Sequence, residues 1–231
     1  MRALNAVLLV SVIALFHSLG CERKPVPTLP PAPVEFFIAV QPSRPDPGLN
    51  IQTVREEFAE NGPEVAEAAF RWVPIADLTW LAFSDREYRE NVRQDPIGYF
   101  DSKDLVIAEA EGVFSLLVYA DDSRSLMCDA SKPRKVVGAE DSRNPYGSPA
   151  VTVRLDGAGG ERLEALTADF IGHQLAIAVG GEICFVAEIE STVSTAVNIG
   201  GNYTKAEAQN IRRRLLGYPM LSDEDGRESD E

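Results

Sequence analysis

The chain has 231 residues, 45% hydrophobic and 25% charged, with a formal charge of −14. That length and apolar content suffice for one generous domain or two small ones with a real core. The acidic balance argues against nucleic acid and anionic lipid as partners, because clustered Lys and Arg grip both.

Residues 1–21 read as processing information rather than as fold. Arg2 supplies a positive start, residues 6–16 an apolar stretch, and Ser18-Leu19-Gly20-Cys21 its end. The apolar stretch is too short to span a bilayer, which takes about 20 residues, and it suits a secretory signal. Gly20 before Cys21 suggests a bacterial lipoprotein signal, cleaved ahead of a cysteine that carries lipid, although Ser18 stands where Leu is usual. An ordinary cleaved signal and an uncleaved anchor are the alternatives. Behind Cys21, residues 22–33 carry five prolines between positions 25 and 33. Such a segment stays extended at about 3.1 Å per residue and reads as a tether.

Residues 34–40, VEFFIAV, have the β-branched and aromatic content of a strand. The prolines at positions 42, 45 and 47 stop it. Residues 50–60 and 63–71 each read as helix, the second with Pro63 in its first turn and Val65, Ala69 and Trp72 along one side. Residues 73–83 read as strand interrupted by Pro74. Residues 84–87 cap a short helix into Arg93, which Asp95-Pro96-Ile97-Gly98 breaks. Residues 105–110 and 113–120 form a hairpin around Glu111-Gly112, and 125–128 add a short strand. Residues 130–148, rich in charge, Gly and Pro, read as a connection.

The most regular stretch is 149–217. Val151, Val153 and Leu155 alternate with Thr152 and Arg154 as in a half-buried strand. After a glycine-rich turn at 156–160, Leu163, Leu166, Phe170 and Ile171 share one helix face. Leu175, Ile177 and Val179 alternate with Ala176 and Ala178, and Ile183, Phe185 and Ala187 alternate again beyond Gly180-Gly181. Two alternating runs joined by Gly-Gly signal a hairpin. Thr204 and Glu207 make a capping box that opens a helix with Ala208, Ile211 and Leu215 as its buried stripe. The fold class is therefore α+β, a mostly antiparallel sheet with helices on one face.

Several residues in this stretch carry a family resemblance. Gly147-Ser148-Pro149-Ala150-Val151, Leu166-Thr167, Gly172-His173-Gln174-Leu175-Ala176-Ile177 and Asn198-Ile199-Gly200-Gly201-Asn202-Tyr203-Thr204 with Glu207-Ala208 follow one another in the order and spacing of a known motif series. The stretch resembles the head subdomain of the first periplasmic region of the SecD/SecF protein-export membrane proteins. It departs from them where Ala187 runs into Glu188-Ile189 instead of an Ala-Pro-x-Ile segment. SecD also carries membrane spans after its head, and none is read here. The chain divides into a signal (1–21), a tether (22–33), an N-terminal α+β part (34–130), a head (135–218) and an acidic tail (219–231) that reads as disordered. The two folded parts can share one sheet.

Signals for catalysis are sparse. His17 lies in the signal, which leaves His173 at a helix exit, where capping or solvent exposure is its bland role. No nucleophile elbow or P-loop surrounds the glycines, which read as turns, and no cofactor or metal site is read. Cys128 and Cys184 either form a disulfide in an oxidising compartment or are two small buried apolar residues. Arg212-Arg213-Arg214 sit where a helix C-terminus favours cations. Asn202-Tyr203-Thr204 matches a glycosylation acceptor but is explained by the cap. The signal pattern and the resemblance together give a non-catalytic envelope lipoprotein as the leading reading: the signal implies that lipid on Cys21 alone holds it to the membrane, and the resemblance implies a head presented to a protein partner in export. An enzyme with a carboxylate site and a purely structural envelope protein are the other readings.

Overall fold

A computed structural model describes residues 28–62, 69–81, 86–127 and 136–221. The helices are α1 (Ile51–Asn61), α2 (Arg86–Gln94), α3 (Pro96–Asp101), α4 (Gly157–Asp169) and α5 (Lys205–Leu216). The strands are β1 (Val34–Ile38), β2 (Phe70–Pro74), β3 (Ile107–Ala110), β4 (Val113–Tyr119) and β5 (Ser125–Leu126), then β6 (Val136–Arg143), β7 (Pro149–Leu155), β8 (Gln174–Val179), β9 (Glu182–Glu188) and β10 (Ala196–Ile199).

The strands lie in three antiparallel sheets, ordered β5-β1-β8-β9, β10-β7-β6 and β2-β4-β3. Bridges at Ala39–Val118 and Ile75–Ile183 join the first sheet to the third. β1 is the centre of this arrangement. It pairs with β8 from Val34–Val179 to Ile38–Leu175, so the N-terminal strand lies inside a sheet whose other long strands come from the head.

Both faces of that sheet are covered, which is why β1 and β8 are apolar at nearly every position rather than at alternate ones. Phe36, Ile38 and Ile177 face one cluster, shared with Val151 and Val153 of β7, Leu163 and Leu166 of α4, and Ile211 and Leu215 of α5. Phe37, Ala39, Ala176 and Ala178 face the other, with Val92 of α2 and Tyr99 and Phe100 of α3. The two head helices thus share one side, as expected, and α2 and α3 close the opposite side. A fully buried Phe contributes about 1.5–3 kcal/mol, so Phe36 and Phe37 anchor both layers from adjacent positions.

The structure corrects several local readings. Of the 63–71 helix, the described residues are Ala69, in a turn, and Phe70 and Arg71, in strand. Trp72 sits in β2 opposite Leu117, its burial coming from sheet pairing and from Phe58 4.6 Å away. Beyond Pro74 the chain bends into a 3₁₀ turn (Leu78–Trp80) instead of continuing as strand. The helix into Arg93 does end before Asp95, at Gln94, but Pro96 then starts a second one, α3, with the Asp95 side chain accepting from Gly98 N–H as its cap. The 156–160 turn is the first turn of α4, capped by the Asp156 carboxylate on Gly159 N–H. Glycine suits Gly160 because a Cβ there would sit 3.1 Å from the Thr195 methyl. Ile171 lies beyond α4 and is exposed rather than on its buried face. The 130–148 connection contains β6, and β10 was not anticipated.

Residues 28–33 are part of the folded body. Thr28 and Leu29 N–H both donate to Gly217 O at 3.0 Å, Ala32 N–H donates to Arg214 O at 2.8 Å, and Pro33 O accepts from Gly180 N–H at 2.8 Å. The end of α5 offers carbonyls that no further helical turn can satisfy. Gly217, at φ +74°, lets its own N–H and that of Tyr218 turn back to Arg214 and Arg213. The proline-rich segment adds donors to Arg214 O and Gly217 O.

Candidate interaction surface

β6 is the clearest open edge. It pairs with β7 through a bulge at Val136/Gly138, and among the described residues no strand pairs with its other side. Half of its residues are exposed, Val137 at 63%, and only Ala139 is buried. Unpaired edges template the addition of another strand. The edge carries charge: Glu140 meets Arg154 at 3.3 Å and Asp141 meets Arg212 of α5 at 3.1 Å. The hairpin tip, residues 144–148, contains Gly147 at φ +87°, with Asn144 Oδ1 accepting from Tyr146 and Ser148 N–H. Tyr146 at its apex is 82% exposed.

A second feature lies where the loop after β1 meets α1. There an open cleft of about 320 Å³ is lined by Asp46, Leu49, Asn50, Val54, Glu57 and Phe70, among others. Its loop is pinned at two points. Asp104, held at φ +59°, accepts from Gln41 at 2.9 Å and from Ser43 N–H at 2.8 Å. Arg124 donates to Asp46 and to Asp121, both at 2.7 Å, and stacks 3.7 Å over the Tyr119 ring. Tyr119 O–H donates to Asp46 at 3.2 Å. Burial and the nearby Asp46 carboxylate push the Tyr119 phenol up to about 12. For Asp121 burial acts upward, but the Ser123 hydroxyl and Arg124 outweigh it and hold the carboxyl below its ordinary value. Asp46 is thereby committed to structure.

The residues singled out in the sequence are scattered. Cys21 and Cys128 lie outside the described residues. Cys184 is buried with a free thiol that donates to Ile177 O at 3.3 Å, and burial pushes that thiol up to about 12. His173 packs edge-on against Phe170 at 5.4 Å, and burial with nearby Arg44 holds its pKa down. The three arginines of α5 diverge: Arg212 reaches Asp141, Arg213 donates to Pro219 O, and Arg214 donates at 3.0 Å both to Glu182 and to Val179 O. Tyr203 is buried, its O–H donating to Cys184 O at 2.5 Å, and Thr204 with Glu207 forms the expected capping box. Among the described residues no cluster of His, Cys, Asp or Glu is placed to hold a metal. No described helix is long and apolar enough to cross a membrane. Sequence reasoning missed the β6 edge, whose signal was only the short apolar start Val136-Val137.

Residues 130–216 match the family described as the SecDF P1 head subdomain, a span that runs from just before β6 through α5. The protein translocase subunit SecD of Magnetococcus marinus (strain ATCC BAA-1437 / JCM 17883 / MC-1) is 27% identical over 91 residues, covering 37% of this chain and 17% of that protein. A crystal structure of SecDF in a super-membrane-facing form aligns with 81% of this chain and 19% of its own, at 17% identity and a TM-score of 0.40. A second structure, described as a membrane component SecDF that enhances protein export, aligns with 81% of this chain and 94% of its own, at 16% identity and a TM-score of 0.38. The α+β stretch from β6 through α5 thus resembles the SecDF P1 head, and the chain spans under a fifth of the curated relative it matches.

Proposed function

We propose that this chain is a non-catalytic, envelope-facing lipoprotein, lipid-anchored at Cys21, whose SecD-like head binds a protein partner during export. The match of residues 130–216 to the P1 head carries the reading. The open β6 edge supplies a means, because an extended polypeptide can add a strand there through its main chain before any side chain is recognised. The head is not a separate body in this reading; it closes on the N-terminal part through β1.

Two measurements test it. A photo-crosslinking residue at Val137 in living cells is expected to capture exported precursors in extended form. Capture of only wall or membrane components would instead support a structural role. Palmitate labelling is expected in the wild type and lost in Cys21→Ala; equal labelling in both would end the anchoring part.

A further inference from the structure

The ladder between β6 and β7 determines which groups of the open edge are free. Asn144 N–H donates to Ser148 O at 2.9 Å, and the register then runs one to one from Arg143–Pro149 to Gly138–Arg154. Bonded and non-bonded pairs alternate along an antiparallel ladder. Ser142, Glu140 and Gly138 therefore bond to β7, while Asp141 and Ala139 turn their N–H and C=O to the open side. On the far side of β7, Leu155 N–H on Thr195 O keeps the same alternation.

The side chains beside those free groups are acidic. Asp141 stands on the α5 side, where Arg212 holds its Oδ1, and Glu140 on the opposite face, where Arg154 holds its Oε2. The arginines come from α5 and β7, not from the edge. Asp141 Oδ2 and Glu140 Oε1 have no partner among the described residues, and the two side chains are 49% and 60% exposed. A strand added here bonds to Asp141 and Ala139 and meets Glu140 in a non-bonded pair, where side chains stand closer. Cations opposite the two carboxylates are favoured, and carboxylates directly opposite them are disfavoured. β10, at the other end of the sheet, carries no charge from Ala196 to Ile199.

Resting on the strand addition proposed above, we propose that the β6 edge selects extended polypeptide segments that set adjacent Lys or Arg residues opposite Glu140 and Asp141. One basic side chain falls on each face of the lengthened sheet. The formal charge of −14 draws such segments from a distance, and the edge turns that attraction into a register.

The test follows the fluorescence anisotropy of two short labelled peptides on the full chain. Both are rich in Thr and Ser, lack Pro, and differ only in a central Lys-Lys or Glu-Glu. At low salt the Lys-Lys peptide is expected to bind several-fold more tightly. The difference should shrink towards 1 M salt, where the screening length is about 3 Å. Glu140→Lys, at an exposed side chain, is expected to keep the melting temperature and to bring the two peptides within about twofold of each other; Glu140→Gln should fall between. If both peptides bind equally and crosslink at Val137, the edge accepts strands without reading charge, and this inference falls while the protein-binding reading stands. If the Lys-Lys preference survives Glu140→Lys undiminished, the peptide sits elsewhere on the acidic body and the assignment to β6 falls. If neither peptide binds, strand addition at β6 itself fails, and this inference with it.

Discussion

Tyr203 shows how one side chain ties the head's last helix to its central hairpin. The ring is buried edge-on to Trp80, 5.3 Å away, and its hydroxyl satisfies the Cys184 carbonyl. Burial raises its pKa well above the ordinary phenol value, so it stays a neutral donor. Tyr203→Phe keeps the packing but leaves that buried carbonyl without its donor, an expected loss of about 1–2 kcal/mol. Urea unfolding should show it as a lower midpoint at unchanged slope. Arg124 is a second such residue, joining the loop after β1 to the turn before β5. The Asp121 carboxyl titrates lower when folded, so the stability it lends is complete above its ordinary value of 3.8 and fades as pH falls through the folded value. The stability gap between wild type and Arg124→Met should therefore narrow on acidification to about pH 3, measured by denaturant midpoints. A gap independent of pH would show that Arg124 acts by packing alone.

At the scale of elements, the end of α5 makes a sharp test. A Cβ on Gly217 would meet the Leu29 carbonyl oxygen at 2.2 Å, and φ there is +74°. Gly217→Ala should cost the left-handed penalty of about 1–2 kcal/mol and also release residues 28–33 to proteolysis. Gly48→Ala is the control, since φ is +90° but nothing lies within 4 Å. It should lower the melting temperature without exposing that segment. The elements that were legible in the sequence are those whose burial imposes a period or whose turns demand glycine. Glu111-Gly112 and Gly180-Gly181 have the positive φ of the expected hairpins, and Ala208, Ile211 and Leu215 are buried on α5. The elements misread follow from the opposite condition. β6 is an edge strand in which Ala139 is buried and Glu140, Asp141 and Arg143 face outward, so no alternation marks it. Pro96 and Gly157 looked like breakers because their caps, Asp95 and Asp156, make helix starts of them. The candidate surface shares that weakness, since an open edge is defined by what does not pair with it.

For the whole molecule, the family match and the folding unit have different boundaries. The match begins at residue 130, yet β8 pairs with β1 along its entire length. A fragment of residues 136–221 would expose the β8 edge together with Ile177 and Ala178, both fully buried in the intact chain. It is expected to aggregate or remain molten, whereas residues 28–221 should unfold in one cooperative transition by circular dichroism. A cooperative transition in the shorter fragment would show that β1 is dispensable.

That same strand sets a timetable. A ribosome delivers Phe36 and Phe37 long before Ile177 and Ala176, the residues they pair with. Contacts so distant along the chain close slowly. In the interval VEFFI is an uncovered β-prone apolar run of the sort that seeds aggregates. The nascent protein therefore needs its first strand sheltered until almost the last of its sheet has been made.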